Sequence, residues 1–122
     1  MRIAANTCFV EEGTLPRSVY FLLSGSVMKD SKLNRLVGVQ NSYLIEGSIF
    51  GETDLMKNRN RTESYITVSD CYLLKITKAL FFEVMEEFDD FRAEVEDIVQ
   101  QREIMRLARI EAFKLGIDEQ TY

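Results

Sequence analysis

The sequence predicts a mainly β domain, an antiparallel sandwich or barrel, with two helices following it. Three observations lead there. From Thr7 to Ile76, short runs rich in Val, Ile, Phe, Tyr and Thr are separated by turn signals at Gly13, Pro16, Gly25, Asp30-Ser31, Gly38, Gly47 and Gly51. Nothing in that region is long and periodic enough to be a crossover helix between parallel strands, which excludes a Rossmann-type sheet. After Ile76 the apolar spacing changes to threes and fours, the helical period.

The strands expected, in order, are Cys8–Glu11, Val19–Leu23, Gly25–Lys29, Arg35–Gln40, Ser42–Leu44, Ser64–Val68 and Cys71–Ile76. A first helix spans Lys78 to Phe88. Thr77 is its N-cap, and Leu80, Phe81, Val84, Met85 and Phe88 form its apolar set. Asp89-Asp90 breaks and recaps the chain, because acids suit a helix N-terminus. A second helix, residues 91 to 115, carries Phe91, Val95, Ile98, Arg102 and Met105 on one stripe and ends near Gly116. One domain is expected over 1–116, with 117–122 a disordered tail.

Composition narrows the function. A chain of 122 residues, 46% hydrophobic and 29% charged, is one globular domain. Its longest apolar run, Val19 to Leu23, has five residues, far short of a membrane span, and no signal peptide opens it, so the expected location is cytoplasmic. There is no histidine, which excludes Ser-His-Asp and Cys-His catalysis and HExxH zinc sites. Cys8 and Cys71 are too few for a four-thiolate zinc site and read as reduced core thiols. The expectation is a protein that is no enzyme and holds no metal or cofactor. A net charge of −5 is the wrong sign for coating nucleic acid. Eight of the acids crowd into Glu83 to Asp97, a solvated helical face, while Lys57, Arg59 and Arg61 form a basic island in a loop.

The functional stretch is Gly47 to Thr62. Phe50-Gly51-Glu52 follows a strand and opens a short helical turn, Thr53 to Met56. The backbone N–H groups at such a turn can take an anion, and Gly51 lets the backbone approach a ligand closely. Arg61, nine residues after Glu52, is placed to close over the turn. Arg102 interrupts the apolar stripe of the last helix. It either snorkels or pairs with an acid of the domain, or it points at an anion or a flat aromatic ligand.

With those motifs in hand, the chain resembles the cyclic nucleotide-binding domain family over nearly its whole length. Glu12-Gly13, Tyr20-Phe21 and Gly25 are similar to its opening strands, and Gly47 to Thr62 to its phosphate-binding cassette. Asp70 to Ile76 and the helix that follows are similar to its closing strand and B helix. Within the family the look is closest to hyperpolarisation-activated and cyclic-nucleotide-gated channels, whose cassettes also end in Arg-Thr. The resemblance implies an antiparallel β-roll, jelly-roll-like, with a C helix acting as a lid. The family's leading helix is expected to be absent or cut short.

It also implies roles. Glu52 would accept from the ribose 2′-hydroxyl. Gly51, Thr53 and Asp54, following Phe50, would offer backbone groups, and Arg61 would grip the cyclic phosphate. Thr62 would lie near the purine, Leu44 and the C helix would cover the base, and Arg102 would fold over it. Glu52 and Arg61 paired with each other in a domain without ligand is the competing reading. Two residues depart from the family: Asp54 stands where a small residue is usual, and Glu63 where alanine is. Either carboxylate, about 6 Å from a phosphate, would repel it by roughly 3 kcal/mol at an effective dielectric near 20, unless it points outward. The expected function is a cAMP- or cGMP-sensing regulatory module, the cytoplasmic part of a cation channel that forms a homotetramer. The alternatives are a nucleotide-free homology domain for assembly, or the sensor of a kinase regulatory subunit or transcription regulator. Arg61, in a polar loop, is expected to matter little for stability. Arg102, as an unpaired buried guanidinium, is expected to leave its helix loosely held.

Overall fold

The computed structural model describes residues 1–116; the tail expected at 117–122 lies outside the described residues. The elements in chain order are β1 (Arg2–Ile3), β2 (Cys8–Val10), β3 (Ser18–Ser24), β4 (Val27–Asp30), α1 (Lys32–Leu36) and β5 (Ser42–Leu44). They continue with β6 (Ile49–Phe50), α2 (Glu52–Met56), β7 (Ser64–Thr67), β8 (Cys71–Thr77), α3 (Lys78–Glu87) and α4 (Asp89–Lys114). The strands form two four-stranded antiparallel sheets, ordered β1-β8-β3-β6 and β2-β7-β4-β5. The fold is therefore mainly antiparallel β with flanking helices.

Strand period explains the two cores. On β3, Tyr20 and Leu22 point between the sheets and pack with Val27, Leu44, Phe50, Tyr65 and Leu73. Val19, one residue out of step, points the other way and packs with Leu55, Phe81, Met85, Val95 and Val99 from the three helices. That second cluster fastens α3 and α4 to the outside of the first sheet, so the end of α4 projects across the cassette.

Four expectations need correction. Residues 35–40 are not a strand: Lys32–Leu36 is helical, because the Ser31 hydroxyl caps it by accepting from the Asn34 N–H at 3.0 Å. The β region starts before Thr7, since Arg2–Ile3 pairs with Cys71 and Tyr72, anchored by Arg2 on Asp70 at 2.8 Å. Cys8 is exposed and only Cys71 is buried; both thiols are free. On α4 the buried residues are Val95 and Val99, while Met105 is 52% exposed. A stripe of threes and fours drifts round a helix with 3.6 residues per turn, and it is Val99, four after Val95, that stays on the body. Thr77 does cap α3, its hydroxyl accepting from the Leu80 N–H at 3.3 Å.

Candidate functional site

The cassette begins where β6 hands over to α2. Gly51 has φ +85°, and a Cβ there would lie 2.9 Å from the Arg61 guanidinium, so both conformation and space call for glycine. α2 starts at Glu52, one residue earlier than expected. Glu52 is fully buried and pairs through Oε1 with Nη1 of Arg102 on α4. Its other oxygen, Oε2, is buried with no hydrogen-bond partner. Arg102 thus faces inward, as its position in the stripe indicated, but it is paired, so the loosely held helix inferred from an unpaired guanidinium does not follow.

Asp54 also turns inward. Its carboxylate accepts from the Thr62 N–H at 2.9 Å, from the Thr62 hydroxyl at 3.0 Å and from Arg59 Nε at 2.8 Å. The guanidinium of Arg59 then reaches α4 and donates to both carboxylate oxygens of Glu103, at 2.8 and 2.6 Å. This contact pushes Arg59 up and Glu103 down from their ordinary pKa values. An acid–base–acid chain, Asp54–Arg59–Glu103, therefore ties the cassette to the last helix beside the Glu52–Arg102 pair.

Arg61 does something else. It is 4% exposed and donates to the carbonyls of Gly51 at 2.5 Å and Ser18 at 2.6 Å, bracing α2 against β3. No Glu52–Arg61 ion pair forms; Glu52 has Arg102 instead.

Between the cassette, the β4–β5 side of the roll and α4 lies a cavity of about 280 Å³. Of the residues singled out from sequence, Thr53, Thr62 and Arg102 line it. Leu44 and Phe50 belong to the core between the sheets, where Phe50 stacks on Tyr20 at 5.5 Å. Glu63 lines the cavity too, and burial pushes its carboxyl up. Neither departing acid therefore points away into solvent. Burial likewise pushes up the Tyr65 phenol on the same wall.

Sequence reasoning missed most of the cavity's charge. Lys29, Arg59, Arg102, Arg106 and Arg109 all line it, against the single carboxylate Glu63, in a chain whose net charge is −5. The signal was available. Arg102, Arg106 and Arg109 are spaced by four and three, which puts them on one face of α4. An acidic protein with a basic cavity concentrates anionic ligands there.

The sequence profile of the cyclic nucleotide-binding domain family matches residues 1–88. The chain is 31% identical over 93 residues to potassium/sodium hyperpolarization-activated cyclic nucleotide-gated channel 4 of Oryctolagus cuniculus, covering 76% of the chain and 8% of the channel. It is 32% identical over 100 residues to channel 3 of Homo sapiens, covering 82% of the chain and 12% of the channel. The chain thus spans about a tenth of these relatives' length. The solved structure of PKAR CBD2 bound to Sp-2Cl-cAMPS superposes with a TM-score of 0.70 at 17% identity, over 97% of this chain and 71% of that one, a likeness of fold.

Proposed function

The chain belongs to the cyclic nucleotide-binding domain family, and from that premise we propose that it is a regulatory domain that binds cAMP or cGMP in the cavity under α4. The observation that carries this reading is Glu52. A fully buried carboxylate with one oxygen held by Arg102 and the other unpartnered is costly to fold around unless a donor completes it. Glu52 itself is not on the cavity wall, but its partner Arg102 is, and a ribose 2′-hydroxyl that reaches past Arg102 would be such a donor. Arg59, Arg102 and Arg106 in the lining are paired with carboxylates, so the uncompensated charge that would draw an anionic nucleotide in is that of Lys29 and Arg109. Glu52 and Arg102 join α2 to α4, so a ligand that engages Glu52 also bears on the helix, and binding would shift the population of its positions.

By analogy with the channels it matches, the reading extends to a cytoplasmic domain that couples nucleotide to gating within a tetrameric cation channel. Among the described residues no helix is long and apolar enough to cross a membrane, so the gate itself would lie elsewhere in such a protein. No reaction is proposed for the domain. The test is thermal: a ligand that binds only the folded state stabilises it by RT ln(1 + [L]/Kd), about 2.7 kcal/mol at a hundredfold excess over Kd. A melting temperature that rises with millimolar cAMP or cGMP is expected; no shift with either would overturn the proposal.

A second reading has its own observation. Asp54 takes the Thr62 N–H and hydroxyl, and Arg61 is held by two carbonyls, so the hydroxyl expected near the purine and the guanidinium expected on the phosphate are both already engaged. A domain that uses these groups structurally and binds no nucleotide would serve assembly or protein contacts.

A further inference from the structure

One acid in the cavity is left unexplained by the cassette. Among the described residues, the Glu63 side chain has no hydrogen bond or ion pair. The charges that act on it are Lys29 from β4, Arg102 and Arg109 from α4, and, opposing them, Asp54 from α2. Arg102 is already committed to Glu52, whereas among the described residues Lys29 and Arg109 have no ion pair, and Arg109 Nε is buried without an acceptor. The wall of the cavity therefore presents a free carboxylate beside two free cations. The Thr62 hydroxyl on the same wall is already given to Asp54.

We infer that Glu63, together with Lys29 and Arg109, reads the base of the bound nucleotide and selects guanine over adenine; the inference rests on the cyclic nucleotide reading above. Guanine carries two adjacent donors, N1–H and N2–H2, and two adjacent acceptors, O6 and N7. A carboxylate matches the donors in a bidentate pair, and a guanidinium or ammonium matches the acceptors. Adenine inverts the pattern. Its N1 lone pair would face a carboxylate oxygen, and its N6 amino group would face a cation. A cavity with a carboxylate and cations side by side is thus complementary to one purine and opposed to the other.

The experiment measures Kd for cGMP and cAMP by calorimetry on the whole chain, on Glu63→Gln and on the double variant Lys29→Met, Arg109→Met. A carboxamide offers one acceptor and one donor, which suits adenine. The wild type should prefer cGMP by about tenfold or more, and Glu63→Gln should lower that ratio by at least about fivefold. The double variant should narrow it as well, by removing the partners of O6 and N7, and provides the same answer should Glu63→Gln fail to fold. Both nucleotides binding with a ratio that neither variant changes, or a wild type that prefers cAMP, would overturn base reading and leave nucleotide binding intact. Binding of neither nucleotide at millimolar concentration would overturn the cyclic nucleotide reading and this inference with it.

Discussion

Replacing Asp54 with asparagine separates the two things its side chain does. In the folded domain the carboxylate is 3% exposed and accepts from the Thr62 N–H, the Thr62 hydroxyl and Arg59 Nε. Asparagine keeps one carbonyl oxygen for the Thr62 N–H but turns its NH2 group toward Arg59 Nε, so the charge and the Arg59 Nε hydrogen bond are lost together. A hydrogen bond to a charged group contributes about 1.5–3 kcal/mol, against about 1 for a neutral one. Arg59 is not stranded, because both of its bonds to Glu103 survive. The expected destabilisation is therefore about 1–2 kcal/mol, a fall in melting temperature of roughly 3–10 °C for a domain of this size.

For the ligand the sign is opposite. A cyclic phosphate bound over the cassette would lie about 5–6 Å from the Asp54 carboxylate, where like charges repel by roughly 3 kcal/mol at an effective dielectric near 20. Removing that charge should tighten cyclic nucleotide binding by up to about a hundredfold, and by about threefold even if water screens the pair. Thermal melts followed by calorimetric titration read both quantities on one sample. A variant that melts lower yet binds cGMP and cAMP no tighter would refute the argument that Asp54 repels the phosphate.

Arg61→Ala should now be destabilising, by about 2–4 kcal/mol in urea unfolding, because it strands the Gly51 and Ser18 carbonyls that the sequence-based view of a polar loop could not anticipate. An unchanged unfolding midpoint would show that the brace contributes nothing. Glu63→Gln should be stabilising at neutral pH and neutral in effect below about pH 4. Burial raises the folded carboxyl above its ordinary value of 4.5, so the penalty is present above the folded pKa and disappears as pH falls through the unfolded one. Melting curves at pH 4 and pH 7 check the sign, and a gain that persists at pH 4 would argue against titration as the cause. Amide exchange from Ile98 to Ile110 should slow on adding cGMP, more than in α3, whose Phe81 and Met85 are already buried. Equal protection with and without nucleotide would mean that α4 is fixed.

The architecture was legible because alternation is local. Val19 against Tyr20 and Leu22 states in one strand that two different cores lie on its two faces. α1 was not, since Arg35-Leu-Val-Gly-Val has strand composition, and what decides is one serine cap four residues upstream. In the site, the inward face of Arg102 could be read from its place in the helical stripe, but its partner could not. Glu52 lies 50 residues away, and Arg59 and Glu103 lie 44 apart. The direction taken by Arg61 depends on a carbonyl of β3, 43 residues earlier, and no spacing rule carries that. The arginines at 106 and 109 were visible as a helical face, yet composition alone does not separate a cavity lining from a solvated surface.

The central claim is that the cavity beneath α4 takes a cyclic nucleotide, with Glu52 as the hydroxyl acceptor. Calorimetric titration of the whole chain with cGMP, beside Glu52→Gln, tests it most directly. The account predicts saturable binding of one nucleotide per chain, weakened at least about tenfold in the variant, since a carboxamide is the poorer acceptor for a hydroxyl held in a buried site. No heat of binding with cGMP or cAMP at millimolar concentration, or binding that Glu52→Gln leaves unchanged, would contradict it.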